Sequence, residues 1–138
     1  MAKDDTIKET IMDTKILGKF GEDLACSYLK RNNYKILERN YIKTWDDKTK
    51  GEIDVIIRKD GIVCFVEVKT QEASEGFYPE DKVDYKKQRK LMKLAQSWLI
   101  RNKVPLDSAW QIDIVSILLN RETKKAKISH FKNIVETS

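Results

Sequence analysis

Two Val- and Ile-rich runs, residues 52–59 and 62–70, are separated by Asp60-Gly61 alone. Asp-Gly supplies the two left-handed residues that a two-residue turn needs, so the segment predicts a β-hairpin. With that turn in place Lys59 faces Ile62, Asp54 faces Glu67 and Glu52 faces Lys69. Facing residues of an antiparallel ladder project to the same side, with Cβ atoms about 4.5–5.5 Å apart. Strict alternation then gathers Glu52, Asp54, Glu67 and Lys69 on one face. Ile53, Val55, Ile57, Cys64, Val66 and Val68 share the other face, which should pack under a helix. Nearer the turn the charged face carries Ile56, Val63 and Phe65. The polar groups therefore collect at the far end of an otherwise apolar hairpin.

Two carboxylates roughly 5 Å apart repel by about 3 kcal/mol at an effective dielectric near 20. Lys69 offsets part of this. A divalent cation would offset more, because hard ions such as Mg²⁺ take carboxylate oxygens directly. From geometry alone the cluster reads equally well as a cation site or as solvated acids paired with lysines.

Around the hairpin the pattern is regular. Leu17, Phe20, Leu24, Ala25, Tyr28 and Leu29 recur at helical spacing over residues 16–32. A strand is expected over 34–43, a polar turn over 44–50 and a polar loop over 71–82. Leu91, Leu94, Ala95, Trp98 and Leu99 mark an amphipathic helix over 83–102, with Pro105 beyond its end. Strands are expected over 110–119 and 125–134. A strand, a helix and a further strand imply a parallel, right-handed crossover. The expected fold class is α/β, a mixed β-sheet flanked by helices, in a single domain over residues 15–138 behind a polar tail, 1–14.

The chemistry is narrowed by what is scarce. The chain of 138 residues has two cysteines and one histidine, His130, so no zinc-type spacing can be built. Cys26 and Cys64 read as reduced, semi-buried thiols, and His130 as structural. Any catalysis must run on carboxylates, lysine and a hard metal ion. The net charge of +5 is concentrated. Residues 83–103 hold Lys86, Lys87, Arg89, Lys90, Lys93, Arg101 and Lys103 against Asp84 alone. Such a helix suits a polyanion, or is simply a solvated face. No apolar run reaches the length of a membrane span or signal peptide, so no membrane association and a cytoplasmic location are expected.

Gly51-Glu52-Ile53-Asp54-Val55-Ile56 followed by Phe65-Val66-Glu67-Val68-Lys69 resembles the core motif of PD-(D/E)xK nucleases. With Gly18-x-x-Gly21-Glu22-x-x-Ala25, Arg39-Asn40, Lys87-Gln88 and Ile112-Asp113-Ile114-Val115, the chain looks like the uncharacterised YraN-like family. That family is similar in fold to Holliday-junction resolvases, which have a restriction-endonuclease-like core. The resemblance covers roughly residues 16–135. It implies that Asp54 and Glu67, with the backbone carbonyl of Val68, ligate Mg²⁺ or Mn²⁺. It implies that Lys69 activates the attacking water and that Glu22 completes the catalytic set. Lys86, Lys87, Gln88 and Lys90 would meet nucleic acid, DNA ahead of RNA, and homodimerisation is left open. For Glu22 a surface position, and for Lys87 and Gln88 a solvated one, stay as alternatives. Asp113, in an apolar strand, reads as a structural carboxylate, and Glu52 as a partner of Lys69. Relatives carry Arg-Phe-Asp where this chain has Gln111-Ile112-Asp113, and the turn over 44–50 is longer than usual. The expected activity is phosphodiester hydrolysis in branched or single-stranded DNA, with a non-cutting nucleic-acid-binding module as the other reading.

Overall fold

The computed structural model describes residues 14–46, 48–72, 83–120 and 122–135. The expected polar tail lies outside these except for Thr14, and so does the expected loop from 73 to 82. In chain order the elements are α1 (Thr14–Arg31), β1 (Lys35–Thr44), β2 (Lys50–Lys59), β3 (Ile62–Glu72), α2 (Tyr85–Arg101), β4 (Trp110–Asn120) and β5 (Lys125–Phe131). The strands form one sheet in the order β1-β2-β3-β4-β5. β3 and β4 run parallel, joined through α2, and every other neighbouring pair is antiparallel. This is the mixed α/β sheet that the sequence predicts. Gln71 and Glu72 extend β3 where a loop was expected.

The helices cover opposite faces. α1 buries Ala25, Cys26 and Leu29 against Val55, Ile57, Cys64, Val66, Val115 and Ile117. α2 buries Leu91, Leu94, Ala95, Trp98 and Leu99 against Ile53, Ile56, Phe65, Ile112 and Ile114. Each fully buried large side chain contributes roughly 1.5–3 kcal/mol of transfer free energy, so each face anchors its own helix. Both cysteines are buried and free, as expected. The Asp84 side chain caps α2 by accepting from the Lys87 amide at 2.8 Å. Among the described residues no helix is long and apolar enough to cross a membrane.

The hairpin turn forms as the dipeptide requires, with Asp60 at φ 52° and Gly61 at φ 78°. Its ladder runs from Lys59/Ile62 to Val55/Val66 and no further. Asp54 and Glu67 are therefore not a ladder pair, and neither are Glu52 and Lys69. Alternation also fails in β2. Ile53 packs in the α2 layer, whereas Val55 and Ile57 pack in the α1 layer. β1 slips in step with it. Glu38 meets Trp98 of α2, Arg39 and Asn40 turn to α1, and Tyr41 meets Ser97 of α2. Asn40, at φ 54°, falls opposite Asp54 between the pairs Arg39↔Val55 and Tyr41↔Ile53. A left-handed residue rotates the chain, and asparagine tolerates that conformation better than most. The single-face expectation for Ile53, Val55 and Ile57 is corrected accordingly.

Candidate active site

The carboxylates meet where the hairpin splays. With no ladder partner beyond Val55, the Asp54 Oδ2 accepts from the Val68 amide at 2.8 Å, stitching the two strands by a side chain. Glu67 follows Phe65 onto the α2 side, where its carboxylate meets the Lys87 ammonium at 3.3 Å. Asp54, Glu67, Glu52 and Val68 line one pocket of about 360 Å³, rimmed by Lys50, Lys87 and Lys90. The two acids of the nuclease-like motif thus face the same space.

α1 brings a further acid from the other side. A β-carbon on Gly21 would lie 2.7 Å from the Thr70 Cβ, so only glycine lets α1 approach β3 this closely. The next residue, Glu22, reaches the strand ends as a result. Carboxylate oxygens of Glu22, Glu52 and Asp54 all lie within 4.8 Å of one another. The Asn40 amide donates to Glu22 at 2.9 Å and to Glu52 at 2.8 Å, which holds two like charges together. Arg39 lies 3.8 Å from Glu22 and 2.7 Å from Asp23, adding positive charge and tying β1 to α1. Gly21→Ala should cost about 1–3 kcal/mol by overpacking and move Glu22 off the cluster. Urea denaturation and a metal titration check both effects; an unchanged midpoint would show that the close approach is not required.

These neighbours act strongly on Asp54. Burial first, then the charge of Glu67, raises its carboxyl to about 8, with smaller contributions from Glu22 and Glu52; the Val68 amide opposes them. A carboxyl so placed ionises readily only beside a cation. The donor set is all oxygen and mostly carboxylate, which fits a hard divalent ion such as Mg²⁺ or Mn²⁺ and not a thiophilic one.

The other expected residues divide. Lys69 is half-buried and pairs in register with Ser116, and its ammonium makes no hydrogen bond or ion pair among the described residues. It does not line the acid pocket, and Glu52 is bonded to Asn40 instead of to it. Lys86 is exposed. Gln88 is buried, its amide donating to the Val83 carbonyl at 2.9 Å, so it secures the start of α2 and is not a solvated side chain. Asp113 is fully buried and accepts from Gln111 at 3.0 Å and from the Asn133 amide at 2.8 Å, with His130 2.8 Å away. That is the structural carboxylate the sequence suggested, and it explains how glutamine serves at 111. Burial, Asp113's charge and a hydrogen bond to it push the neighbouring Cys64 thiol up to about 12. Asn40 and Arg39 are what residue chemistry alone missed. Their signal was present only as an Arg-Asn dipeptide within the family resemblance.

A mixed sheet between two helices, with acids collected at a splayed hairpin end beneath a basic helix, defines a restriction-endonuclease-like α/β domain. The chain belongs to the uncharacterised protein family UPF0102, whose model matches residues 21–117. It is 38% identical over 118 residues to a UPF0102 protein of Persephonella marina, covering 86% of this chain and 91% of that one. To a UPF0102 protein of Clostridium beijerinckii it is 34% identical over 119 residues, covering 86% and 92%. To one of Alkaliphilus oremlandii it is 37% identical over 120 residues, covering 86% and 97%.

Proposed function

We propose that this protein is a divalent-metal-dependent nuclease that hydrolyses phosphodiester bonds in DNA, in branched or single-stranded form. The observation that carries the reading is the pocket in which Asp54, Glu67 and Glu52 face one another under Lys87 and Lys90. A surface that only binds nucleic acid gains nothing from clustered acids, because they repel phosphate. Acids ringed by lysines suit a site that takes a phosphate and a cation together.

Asp54 is the shared residue, next to Glu67 on the α2 side and to Glu22 and Glu52 on the α1 side. Asp54 and Glu67, with the Val68 carbonyl, would hold Mg²⁺ or Mn²⁺, and Glu22 from α1 and Glu52 from β2 add negative charge. A bound ion of this kind supplies Lewis acidity and lowers the pKa of its water. The chain's own residues do the remainder. Lys87 and Lys90 receive the phosphate oxygens, the former exchanging its Glu67 contact for the substrate. Asn40 holds Glu22 and Glu52 in place. Lys69, without a competing partner among the described residues, is available to stabilise charge developing on the scissile phosphate. One observation favours a non-cutting binding module instead: Lys69 does not touch Asp54 or Glu67.

The test is purified protein incubated with four-way junction, single-stranded and linear duplex DNA, with Mn²⁺ or EDTA. Metal-dependent cutting should fall at least about a hundredfold in Asp54→Asn and Lys69→Ala. Equal residual cutting by wild type and both variants would sink the proposal. Lys87→Ala should shift folding stability by less than about 1 kcal/mol, since the Lys87 side chain is exposed. Its DNA affinity should fall, with a salt dependence shallower by roughly 0.7–0.9 in logarithmic slope. Binding isotherms at several salt concentrations read this directly, and an unaltered slope would remove Lys87 from the interface.

A further inference from the structure

Beside the acid pocket a groove of about 640 Å³ runs between the edge strand β1 and α2. Its lining includes Lys43, Trp45, Lys93 and Arg101, and none of its lining residues is acidic. Tyr41 and Ser97 join their hydroxyls across it at 2.8 Å. Ile42 and Ile100 flank it, 50% and 65% exposed. The acid pocket accounts for Lys87 and Lys90 of the basic segment, and of the other five cations Lys93 and Arg101 lie in this groove. The two spaces adjoin. Lys90 of the pocket and Lys93 of the groove are about one turn apart on α2. Gly51 and Lys50 of the pocket pair directly with Lys43 and Thr44 of the groove.

We propose that this groove binds a single-stranded nucleic-acid segment continuous with the strand in the acid pocket, stacking an unpaired base on Trp45. Lys43, Lys93 and Arg101 would then meet its phosphates. The inference deepens the nuclease reading, and rests on it for the identity of the neighbouring pocket.

Three features select a single strand. Cations without acids match a phosphate chain. An aromatic platform serves bases whose faces are free, which a duplex keeps stacked. The exposed Ile42 and Ile100 add apolar surface that suits base faces and not a phosphate backbone. Trp45 already holds a cation, the Lys93 ammonium 5.1 Å from its ring centroid. An exposed cation–π contact is worth about two- to fivefold in affinity, and a stacked base about five- to a hundredfold. The base therefore displaces the ammonium, which finds a phosphate. Asp46, the acid next to Trp45, is engaged by its own turn, accepting from the Lys48 and Thr49 amides at 2.7 Å each. A second copy of the chain adding to the β1 edge is the competing occupant. The kink at Asn40 and the charges along β1 act against such pairing.

The experiment is fluorescence anisotropy of labelled oligothymidylate and of a duplex of equal length, in EDTA. Trp45→Ala should weaken single-strand binding about tenfold and duplex binding less than about twofold. Trp45→Phe, which keeps a stacking face, should retain most of the affinity. Lys93→Glu should weaken the single strand as strongly as Trp45→Ala. If wild type ignores single strands, or Trp45→Ala and Lys93→Glu bind them as wild type does, the proposal is overturned. It is likewise overturned if wild type sediments as a dimer that Trp45→Ala dissociates while strand affinity stays unchanged. Cutting in Mn²⁺ is scored separately. A Trp45-dependent single-strand complex in a protein that cuts nothing would leave the groove standing and remove the nuclease reading.

Discussion

Asp54→Asn is expected to abolish metal-dependent cutting while making the metal-free protein more stable at alkaline pH. The folded carboxyl holds its proton up to about 8, whereas the unfolded one releases it near 3.8. Unfolding therefore releases a proton in this interval, and wild-type stability falls as pH rises from about 4 to about 8. Below that window the group contributes no difference, and above it the loss is complete. A shift of this size corresponds to roughly 6 kcal/mol at 1.36 kcal/mol per unit; partial solvation and shared charge reduce the expected effect to about 3 kcal/mol. Asparagine carries no such charge and still offers an oxygen to the Val68 amide. Urea midpoints at pH 5 and pH 9 in EDTA should therefore diverge, with the variant gaining on wild type at the higher pH. Millimolar Mg²⁺ should recover part of the deficit in wild type and not in the variant, because binding to the folded state alone stabilises it. Parallel pH profiles for the two proteins would show that Asp54 is not held protonated by its neighbours.

Asp113→Ala should be the most damaging single change to the fold. Asp113 is fully buried, and it receives Gln111, the Asn133 amide and the Cys64 thiol beside His130. Removing it leaves several part-buried donors without an acceptor, a loss of about 3–5 kcal/mol. Against a typical total of about 5–15 kcal/mol, that brings the domain near its unfolding threshold. For a chain of this size the melting temperature should drop by about 10–20 °C. Asp113→Asn, which keeps one acceptor oxygen, should lose roughly half as much. Calorimetry on the two variants decides it, and a wild-type melting temperature for Asp113→Ala would refute the structural role.

The strands and helices were legible because their signals are local. Asp60-Gly61 carries its own turn geometry, and apolar spacing marks α1 and α2 without reference to any other element. Glu67 could be placed because β3 keeps its alternation from Val63 onward. β2 could not be read as simply. Its alternation breaks beside Asp54, opposite the left-handed Asn40 of another strand. The placing of Ile53 on one face with Val55 and Ile57 failed for this reason, and so did the direct pairing of Glu52 with Lys69.

Residue order alone determined that an acid-bearing hairpin, a basic helix and a parallel crossover would form, since turn chemistry and periodicity act over a few neighbouring positions. Only the tertiary structure decided how the acids combine. Gly21 lets α1 close on Thr70, Asn40 joins Glu22 to Glu52, and Asp54 reaches the Val68 amide past the end of the ladder. The same packing turned Gln88 inward and set Trp45 under Lys93. Each of these depends on the distance between elements far apart in sequence, which packing fixes and no local pattern encodes.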